Sequence, residues 1–301
     1  MDFQRNDVIL TTVEGVGFDY FAPFILSLKR TGFRGQLVVF AGALDDRTIT
    51  KIRDHGAFVV RYPFVPKWVR EALFWPVWPA WSRFFSRCRL TAITEKLAHW
   101  TLPLIYRRHL IYLQFLRGRR HEFGRVFLSD ARDVFFQVDP FSWQPGPGLH
   151  CFLLPHGNTI QSEQLRINWD QNQFGRTDPR PHLDKGVACA GTTFGDTESV
   201  IQYLSQIVSF SLRARKLRKV KVGDQGVQNF LICEDILPAT TLQPNEGGPV
   251  LTTYRMTMDD IVLDKDGVVV NDRGRVIPVL HQYDRIPELK KHLLGRLQIP
   301  G

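Results

Sequence analysis

Cysteine is scarce in this chain, and long apolar runs are missing. The four cysteines, Cys88, Cys151, Cys189 and Cys233, stand far apart with no CxxC or CxxH spacing. This excludes a disulfide framework and the common zinc motifs, and it predicts reduced thiols in the core of a cytosolic protein. The longest apolar run, residues 72–81, contains two prolines and is too short to span a bilayer. The N-terminal MDFQRNDVILTT shows no secretory-signal pattern.

Acidic residues are scarce in two stretches. In a chain of net charge +9, residues 61–125 hold 13 Lys and Arg against three acids, and residues 213–221 hold six basic residues and no acid. The first stretch also contains five of the seven tryptophans, a mixture typical of proteins that bind anionic membrane headgroups. Two interpretations stay open: residues 65–120 and 213–221 bind an anionic membrane surface, or the aromatics form a core beneath an ordinary basic face. Nucleic acid is not an expected partner, because no RNP, KH or zinc-finger pattern is present.

The first 64 residues alternate between strand and helix patterns. Apolar runs predict strands at 8–13, 36–40 and 58–62, separated by helices at 18–30 and 45–55. This order predicts an α/β fold with right-handed crossovers and a mostly parallel sheet flanked by helices. Further predicted elements are a helix at 102–120, strands at 125–128, 149–154, 187–190 and 276–280, a helix after Asp196 and a helix at 227–233.

The most informative segment is residues 125–141, where an apolar strand runs into Asp130 and Asp133 before a second apolar run. Carboxylates at the carboxyl end of a strand lie where α/β sheets bind ligands. Two oxygen ligands on one short turn can hold Mg²⁺ or Mn²⁺, which then neutralises a diphosphate. The alternative is a pair of turn-forming acids, one capping the backbone and one paired with Arg132. The spacing leaves both interpretations open.

The pattern Ser-Asp-Ala-Arg-Asp at 129–133, followed by Val-Phe-Phe and then Pro-Phe, resembles the aspartate motif of GT-A fold glycosyltransferases. In those enzymes a DxD-type motif holds a divalent metal and the diphosphate of a nucleotide sugar; here two residues separate the acids instead of one. The resemblance implies a GT-A-like, Rossmann-like sheet in which Asp133 binds Mn²⁺ or Mg²⁺ and Asp130 binds the metal or the ribose. Candidate diphosphate contacts, because guanidinium groups bind phosphate oxygens in bidentate fashion, are Arg132, Arg107 and Arg108.

Four further segments resemble parts of the same enzymes, in order along the chain. They are 10–14 at the nucleotide base, 184–191 along the donor sugar, 223–229 near the transferred sugar, and 280–285, whose histidine returns to the metal. The resemblance implies donor contacts at Thr11, Thr12, Glu14 and Gly186. It also implies His281 as a third metal ligand.

Asp224 and Gln225 stand in a polar break between a basic run and an apolar one. A carboxylate beside an anomeric carbon can act as the base of an inverting attack or stabilise an oxocarbenium-like centre in a retaining one. Gln225 can bond sugar hydroxyls, which makes both residues candidates for the reaction centre. The alternative is that they cap the helix at 227–233. His281 follows an apolar strand and is either a neutral ligand for Mn²⁺ or a structural histidine.

The sequence thus predicts a metal-dependent glycosyltransferase that moves a sugar from a nucleotide-diphosphate donor to a hydroxyl acceptor, such as a lipid-linked or cell-envelope glycan. One GT-A-like domain is expected over 1–301. Within it, residues 1–64 and 101–143 bind the nucleotide sugar, and residues 65–100 form a Trp-, Pro- and Arg-rich helical insertion. Residues 144–301 hold the acceptor half and the C-terminal metal-binding segment. The expected location is the cytoplasm, on the inner face of a membrane.

Two alternative functions stay open. The first is a nucleotidyltransferase on a similar sheet, although residues 11–17 lack the Lys and Arg of the Gly-rich loop that such enzymes usually carry after the first strand. The second is a non-enzymatic basic protein that binds a membrane surface or nucleic acid.

Overall fold

The main sheet is built from the apolar runs that the sequence predicts as strands. The structure is a computed structural model that describes residues 6–69, 72, 76–87, 92–163, 180–213, 223–237 and 239–298. The strands described are β1 (Asp7–Glu14), β2 (Gln36–Gly42), β3 (Phe58–Arg61), β4 (Arg125–Ser129), β5 (Val134–Phe136), β6 (Leu149–Leu153), β7 (Ala188–Asp196), β8 (Thr240–Gln243), β9 (Val250–Thr252), β10 (Val262–Leu263), β11 (Val269–Val270) and β12 (Val279–His281). The helices described are α1 (Ala22–Arg30), α2 (Asp46–Asp54), α3 (Lys67–Val69), α4 (Trp78–Arg87), α5 (Ala92–Thr101), α6 (Leu104–Gly118), α7 (Thr197–Arg213), α8 (Gly223–Cys233) and α9 (Pro287–Leu297).

Seven strands form one sheet in the order β3-β2-β1-β4-β7-β6-β8. Strand β1 runs parallel to β2 and β4, β2 runs parallel to β3, and β6 runs parallel to β8. Strand β7 is antiparallel to both of its neighbours, β4 and β6. The predicted α/β fold with a mostly parallel sheet is therefore confirmed. We call the edge where β1 ends at Glu14 and Asp130 follows β4 the carboxyl edge, and the edge where Asp7 and Arg125 begin these two strands the amino edge.

Both faces of this sheet are covered, which explains why consecutive residues of β1, Val8, Ile9 and Leu10, are all apolar. Val8 and Leu10 of β1 join one core with residues of α6, α7 and α8. Ile9, between them, joins a second core with residues of α1 and β5. Side chains alternate along a strand, so each face of β1 is fixed by its own layer of packing partners.

A small second sheet, in the order β5-β12-β9, lies after the turn that holds the two acids. Strand β12 pairs antiparallel with β5 and parallel with β9. The register sets His281 opposite Val134, and the backbone N–H of Gln282 donates to the carbonyl of Asp133 at 2.6 Å. This sheet therefore carries the end of the chain back to the carboxyl edge.

Two predicted helices begin at an aspartate whose carboxylate accepts a backbone N–H. The N–H of Thr48 donates to Asp45 Oδ1 at 2.6 Å ahead of α2, and the N–H of Ser199 donates to Asp196 Oδ1 at 2.9 Å at the start of α7. Other boundaries differ from the prediction. The helix expected over 18–30 is a short 3₁₀ turn at Phe18–Tyr20 followed by α1, because Pro23, which has no N–H to donate, stands in the first turn of α1.

Two predicted strands also have other limits. Strand β7 runs on from the predicted 187–190 to Asp196, since the edges of β4 and β6 pair with its polar second half. The strand predicted at 276–280 is β12, which starts after Pro278, a residue without a ladder donor, and includes His281. The helix predicted over 227–233 begins four residues earlier as α8, so Asp224 lies in its first turn.

The insertion at 65–100 contains α3, α4 and α5 in its described part. Trp68 and Trp100 are 71% and 48% exposed there, whereas Trp81 is half-buried and packs against the core that contains Val8 and Leu10. The described tryptophans are therefore divided between the membrane-face and the aromatic-core interpretations. Trp75 and the basic run within 213–221, apart from Arg213, lie outside the described residues. Within the described ranges, no helix combines the length and the apolar character that crossing a bilayer requires.

The expected core thiols are found where the structure describes them. Cys151, Cys189 and Cys233 are buried and form no disulfide. Cys88 lies outside the described residues.

Candidate functional site

Two carboxylates and one histidine converge at the carboxyl edge. Asp130 follows β4, Asp133 precedes β5, and His281 ends β12. One ligand atom of each residue lies within 4.8 Å of those of the other two. His281 Nε2 stands 3.9 Å from Asp130 Oδ2 and 3.9 Å from Asp133 Oδ1. We call these three residues the acid–histidine cluster; it unites the residues that the sequence marks as metal ligands.

Atoms that face one another in the cluster lack ordinary partners. Asp133 Oδ1 and His281 Nε2 are buried, and neither has a hydrogen-bond partner among the described residues. Leaving a buried polar atom unpaired costs about 1–3 kcal/mol, so a structural role explains these atoms poorly. Two carboxylates and an imidazole form a donor set that suits a divalent cation, Mn²⁺ better than Mg²⁺.

Gly191 of β7 provides the space for this cluster. A Cβ built on Gly191 would lie 2.4 Å from His281 Nε2 and 2.9 Å from Asp130 Oδ2. The backbone N–H of Asp130 donates to the Gly191 carbonyl at 2.8 Å, which holds the acid against this strand. Only a glycine permits that close approach without displacing the histidine or the acid.

The other ring nitrogen of His281 orients the side chain. Nδ1 lies 3.3 Å from Thr252 Oγ1 and 3.6 Å from Cys189 Sγ, so Nε2 is turned toward the carboxylates. Burial lowers the pKa of His281, but Cys189, Asp133 and Asp130 outweigh it and raise the pKa to about 9. The surroundings thus favour a positive charge at Nε2, either from a proton or from a metal ion.

Asp224 lies beside this cluster on the first turn of α8 and is almost fully buried. Its Oδ2 accepts from Arg108 Nη2 at 2.7 Å and is 3.0 Å from His109 Nε2, and its Oδ1 accepts the N–H of Gln225 at 2.9 Å. Burial raises the pKa of Asp224, but Arg108 and His109 together bring it below the usual value. Asp224 is therefore a carboxylate held in its ionised form, and its own helix position agrees with the capping alternative as well.

Arg108 links the two groups of acids. Its Nη1 forms an ion pair with Asp130 Oδ1, and its Nη2 donates to Asp224 and, at 3.2 Å, to the carbonyl of Ala190. The guanidinium therefore lies between the acid–histidine cluster and Asp224. This contact differs from the diphosphate role predicted for Arg108, because its donors are already directed at carboxylates.

A cavity of about 290 Å³ opens at the same edge. Its lining combines the end of β1 with the acidic turn: Thr12, Val13, Glu14, Val16, Tyr20, Leu104, Asp130, Ala131, Arg132 and Asp133. Both carboxylates of the acid–histidine cluster and two of the predicted donor contacts, Thr12 and Glu14, therefore line one space.

Glu14 is itself anchored from beneath the cavity. Its Oε2 accepts from Tyr62 Oη at 2.8 Å and from Arg107 Nη2 at 2.5 Å. Arg107 is completely buried, and its guanidinium also lies over the Tyr62 ring at 5.3 Å. The helix predicted at 102–120 thus directs Arg107 into the core, because Glu14 supplies the countercharge that burial of a guanidinium requires. Arg107 is not among the residues that line the cavity.

The remaining predicted site residues fall into different places. Arg132 lines the cavity, is partly exposed, and pairs with Asp133 at 3.2 Å and Asp284 at 3.6 Å. Thr11 is buried on β1, and Gln225 is half-buried on α8. Gly186 is exposed and pairs with Thr159 in an isolated bridge, five residues before the glycine that contacts the cluster.

Sequence reasoning missed two residues of the site: His109, which contacts Asp224, and Gly191, which provides the space for the cluster. It named Arg108 but not its bridging position. Gly191 belongs to the segment 184–191 that the resemblance singled out, yet Gly186 was chosen from it. Only Arg108 is marked by the sequence, as a cation on a predicted helix. The sequence does not indicate which acids this cation contacts.

No protein-family model and no curated protein matches this chain. The functional interpretation therefore depends on the geometry of the site and on the residues that form it.

Proposed function

We propose that this protein is a metal-dependent glycosyltransferase of the GT-A type, which transfers a sugar from a nucleotide-diphosphate donor to a hydroxyl group. One observation carries the proposal: the acid–histidine cluster borders a cavity lined by the end of β1, and Asp133 Oδ1 and His281 Nε2 lack partners there. In a mostly parallel α/β sheet this edge is the usual ligand-binding position.

The donor set of the cluster assigns roles to its residues. Asp130, Asp133 and His281 would hold Mn²⁺ or Mg²⁺, and the bound ion would supply positive charge that stabilises a leaving nucleoside diphosphate. Arg132, at the same cavity, offers a guanidinium to the phosphate oxygens. Thr12 and Glu14, at the end of β1, lie where the nucleoside would be seated, with Glu14 kept in place by Arg107 and Tyr62.

The surroundings of Asp224 favour one of its two candidate roles. A general base works best when its pKa is near the operating pH, whereas the pKa of Asp224 is below the usual carboxyl value because Arg108 and His109 outweigh its burial. Both carboxylate oxygens also already accept hydrogen bonds. Asp224 therefore suits electrostatic stabilisation of an oxocarbenium-like centre better than proton abstraction, which is the retaining course.

The acceptor side of the cavity is apolar. Leu104 lines the cavity, and Ile105, which is 42% exposed, lies against Gly223 next to Asp224. Trp100, also exposed, lies in the last turn of α5, just before them in the chain. This rim suits an acceptor with a lipid portion, such as a lipid-linked glycan at a membrane surface.

The basic stretch at residues 61–125 supports that partner less than the sequence suggests. Several of its arginines are paired with acids in the structure: Arg61 with Asp46, Arg107 with Glu14, Arg117 with Glu95, Arg120 with Glu198 and Arg125 with Asp7. The proposed membrane contact therefore depends mainly on exposed Trp68 and Trp100. Sedimentation with vesicles containing phosphatidylglycerol tests it: Trp100→Ser should lower binding, Val262→Ser should not, and a wild type that stays in solution contradicts the membrane contact.

Calorimetric titration with UDP and with GDP, each with and without Mn²⁺, tests the central proposal. We expect one of the two nucleotides to bind in a Mn²⁺-dependent manner, and we expect Asp133→Ala to lose that dependence. Asp259→Ala, at an exposed acid outside the cluster, is the matched control and should bind like the wild type. Nucleotide binding that ignores Mn²⁺ in the wild type, or no binding of either nucleotide, contradicts the proposal.

A further inference from the structure

We propose that Arg108 is a positioning residue that couples the metal-binding acid Asp130 to the reaction-centre acid Asp224. The inference rests on the proposed function, because it assigns Arg108 a role toward a metal ligand and toward Asp224. It goes beyond that function by making the two halves of the site depend on one side chain.

The two oxygens of the Asp130 carboxylate have different neighbours. Oδ1 pairs with Arg108 Nη1, whereas Oδ2 is the oxygen that lies 3.9 Å from His281 Nε2. Arg108 therefore holds one oxygen and turns the other toward the acid–histidine cluster. Partners of this kind orient metal-ligating carboxylates, and losing them typically weakens metal binding by about 10–100-fold.

The same guanidinium also holds Asp224. Nη2 donates to Asp224 Oδ2 at 2.7 Å and to the Ala190 carbonyl at 3.2 Å. The planar fork presents its nitrogens in a fixed geometry, so the positions of Asp130 and Asp224 are linked through one rigid group. A lysine carries the same charge on a single point and cannot make both contacts in that geometry.

Neighbouring residues hold Arg108 itself in place. Its side chain is largely buried, and the next residue of α6, His109, contacts the same oxygen of Asp224 at 3.0 Å. Helix α6 therefore reaches α8 through two consecutive side chains, and Ala190, next to Gly191, holds the guanidinium from β7. Of its nitrogens, Nε has no hydrogen-bond partner in the described part of the chain, so the contacts are concentrated on the two acids and this carbonyl.

Mn²⁺ affinity, read from the free-ion signal in electron paramagnetic resonance, tests the orienting role. Arg108→Lys keeps the positive charge and removes the fork, so we expect its Mn²⁺ affinity to fall by about tenfold or more. Arg117→Lys is the matched control, since Arg117 lies on the same helix and pairs with Glu95 at the surface. An Arg108→Lys protein that is folded by circular dichroism and binds Mn²⁺ within about twofold of the wild type overturns the proposal.

A double-mutant cycle tests the coupling. Asp224→Asn is measured in the wild type and in Arg108→Lys, where the direct attraction between Asp224 and Mn²⁺ is the same and cancels from the difference. We expect Asp224→Asn to weaken Mn²⁺ binding more in the wild type than in Arg108→Lys, with a difference of about threefold or more. Additive effects show that the two acids are not coupled and overturn the proposal.

Two results separate this inference from the proposed function. A wild type that binds Mn²⁺ but gives an additive cycle contradicts the role of Arg108 alone. A wild type that binds no Mn²⁺ contradicts both proposals. If Arg108→Lys does not fold, unchanged Mn²⁺ affinity in Asp224→Asn still overturns the proposal, because it excludes an orienting chain that runs through Arg108.

Discussion

The two edges of the main sheet differ in how their buried charged groups are paired. At the amino edge, Asp7 of β1 and Arg125 of β4 form a two-pronged ion pair, with Nε–Oδ1 at 2.8 Å and Nη2–Oδ2 at 2.6 Å. At the carboxyl edge of the same two strands, Asp133 and His281 keep buried atoms without partners. The first arrangement is closed, and the second is open to a ligand.

This difference distinguishes structural acids from functional ones. Satisfied buried polar groups stabilise the fold they occupy, whereas unsatisfied ones persist where function requires them. The amino edge contains a second satisfied acid, Asp196, which caps α7 and pairs in register with Arg125 across β7 and β4. We therefore expect substitutions at the amino edge to change stability and substitutions at the carboxyl edge to change metal binding.

Asp133→Ala should have the largest effect on metal binding. It removes a ligand of the acid–histidine cluster, so Mn²⁺ affinity should fall by more than the roughly 10–100-fold that the loss of an outer partner costs. The free energy of unfolding should stay the same or rise, since an unpaired buried carboxylate oxygen disappears. Paramagnetic resonance and urea denaturation measure the two quantities, and a clear loss of stability with Mn²⁺ binding retained would reverse our assignment of this edge.

Gly191→Ala should disrupt the acid–histidine cluster by filling the space beside it. The added Cβ would meet His281 Nε2 at 2.4 Å, so the histidine or Asp130 has to move, and we expect Mn²⁺ affinity to fall by about tenfold or more. Gly186→Ala is the matched control, because the nearest side-chain atom to its Cβ is at 3.4 Å, in Leu153. If Gly186→Ala weakens Mn²⁺ binding and Gly191→Ala does not, Gly186, which the resemblance implies, is the glycine of the site.

Elements with a local signal could be predicted from the sequence. The strand and helix alternation of the first 64 residues and the helix after Asp196 depend on neighbours a few positions away, and the structure confirms them. The direction and length of β7 could not be predicted. Its second half, Gly191-Thr-Thr-Phe-Gly-Asp196, is not strongly apolar and becomes a strand through pairing with the edges of β4 and β6.

The site was predictable only where chemistry leaves a pattern. The acids after β4 follow an apolar strand, which marks Asp130 and Asp133, and resemblance to a family indicated His281. The burial of Arg107 and the contacts of Arg108 depend on Glu14, Asp130 and Asp224, which lie far away in sequence. Helix α6 therefore contains two arginines whose acidic partners are brought near only by the fold.

Asp7→Asn tests the closed edge. It removes the negative charge from a buried pair and leaves Arg125 with the Phe141 carbonyl at 3.1 Å and water, since the arginine is partly exposed. We expect a loss of about 1–3 kcal/mol in the free energy of unfolding, measured by urea denaturation, with Mn²⁺ affinity unchanged. Weaker Mn²⁺ binding in this variant would show that the two edges are not independent.

Asp196→Ala gives the smallest expected effect and a pH dependence. Burial raises the pKa of Asp196, but the N–H groups of Ser199 and Gly148 outweigh it and lower the pKa below the usual 3.8. Because the folded pKa is below the unfolded one, the cap stabilises the fold above about pH 3.8 and this contribution is lost as pH falls through the folded pKa. Asp196→Ala should therefore cost about 1 kcal/mol at neutral pH, and the difference from the wild type should shrink in acid. A difference that stays constant between pH 7 and pH 3 would mean that the charge of Asp196 contributes nothing to the amino edge.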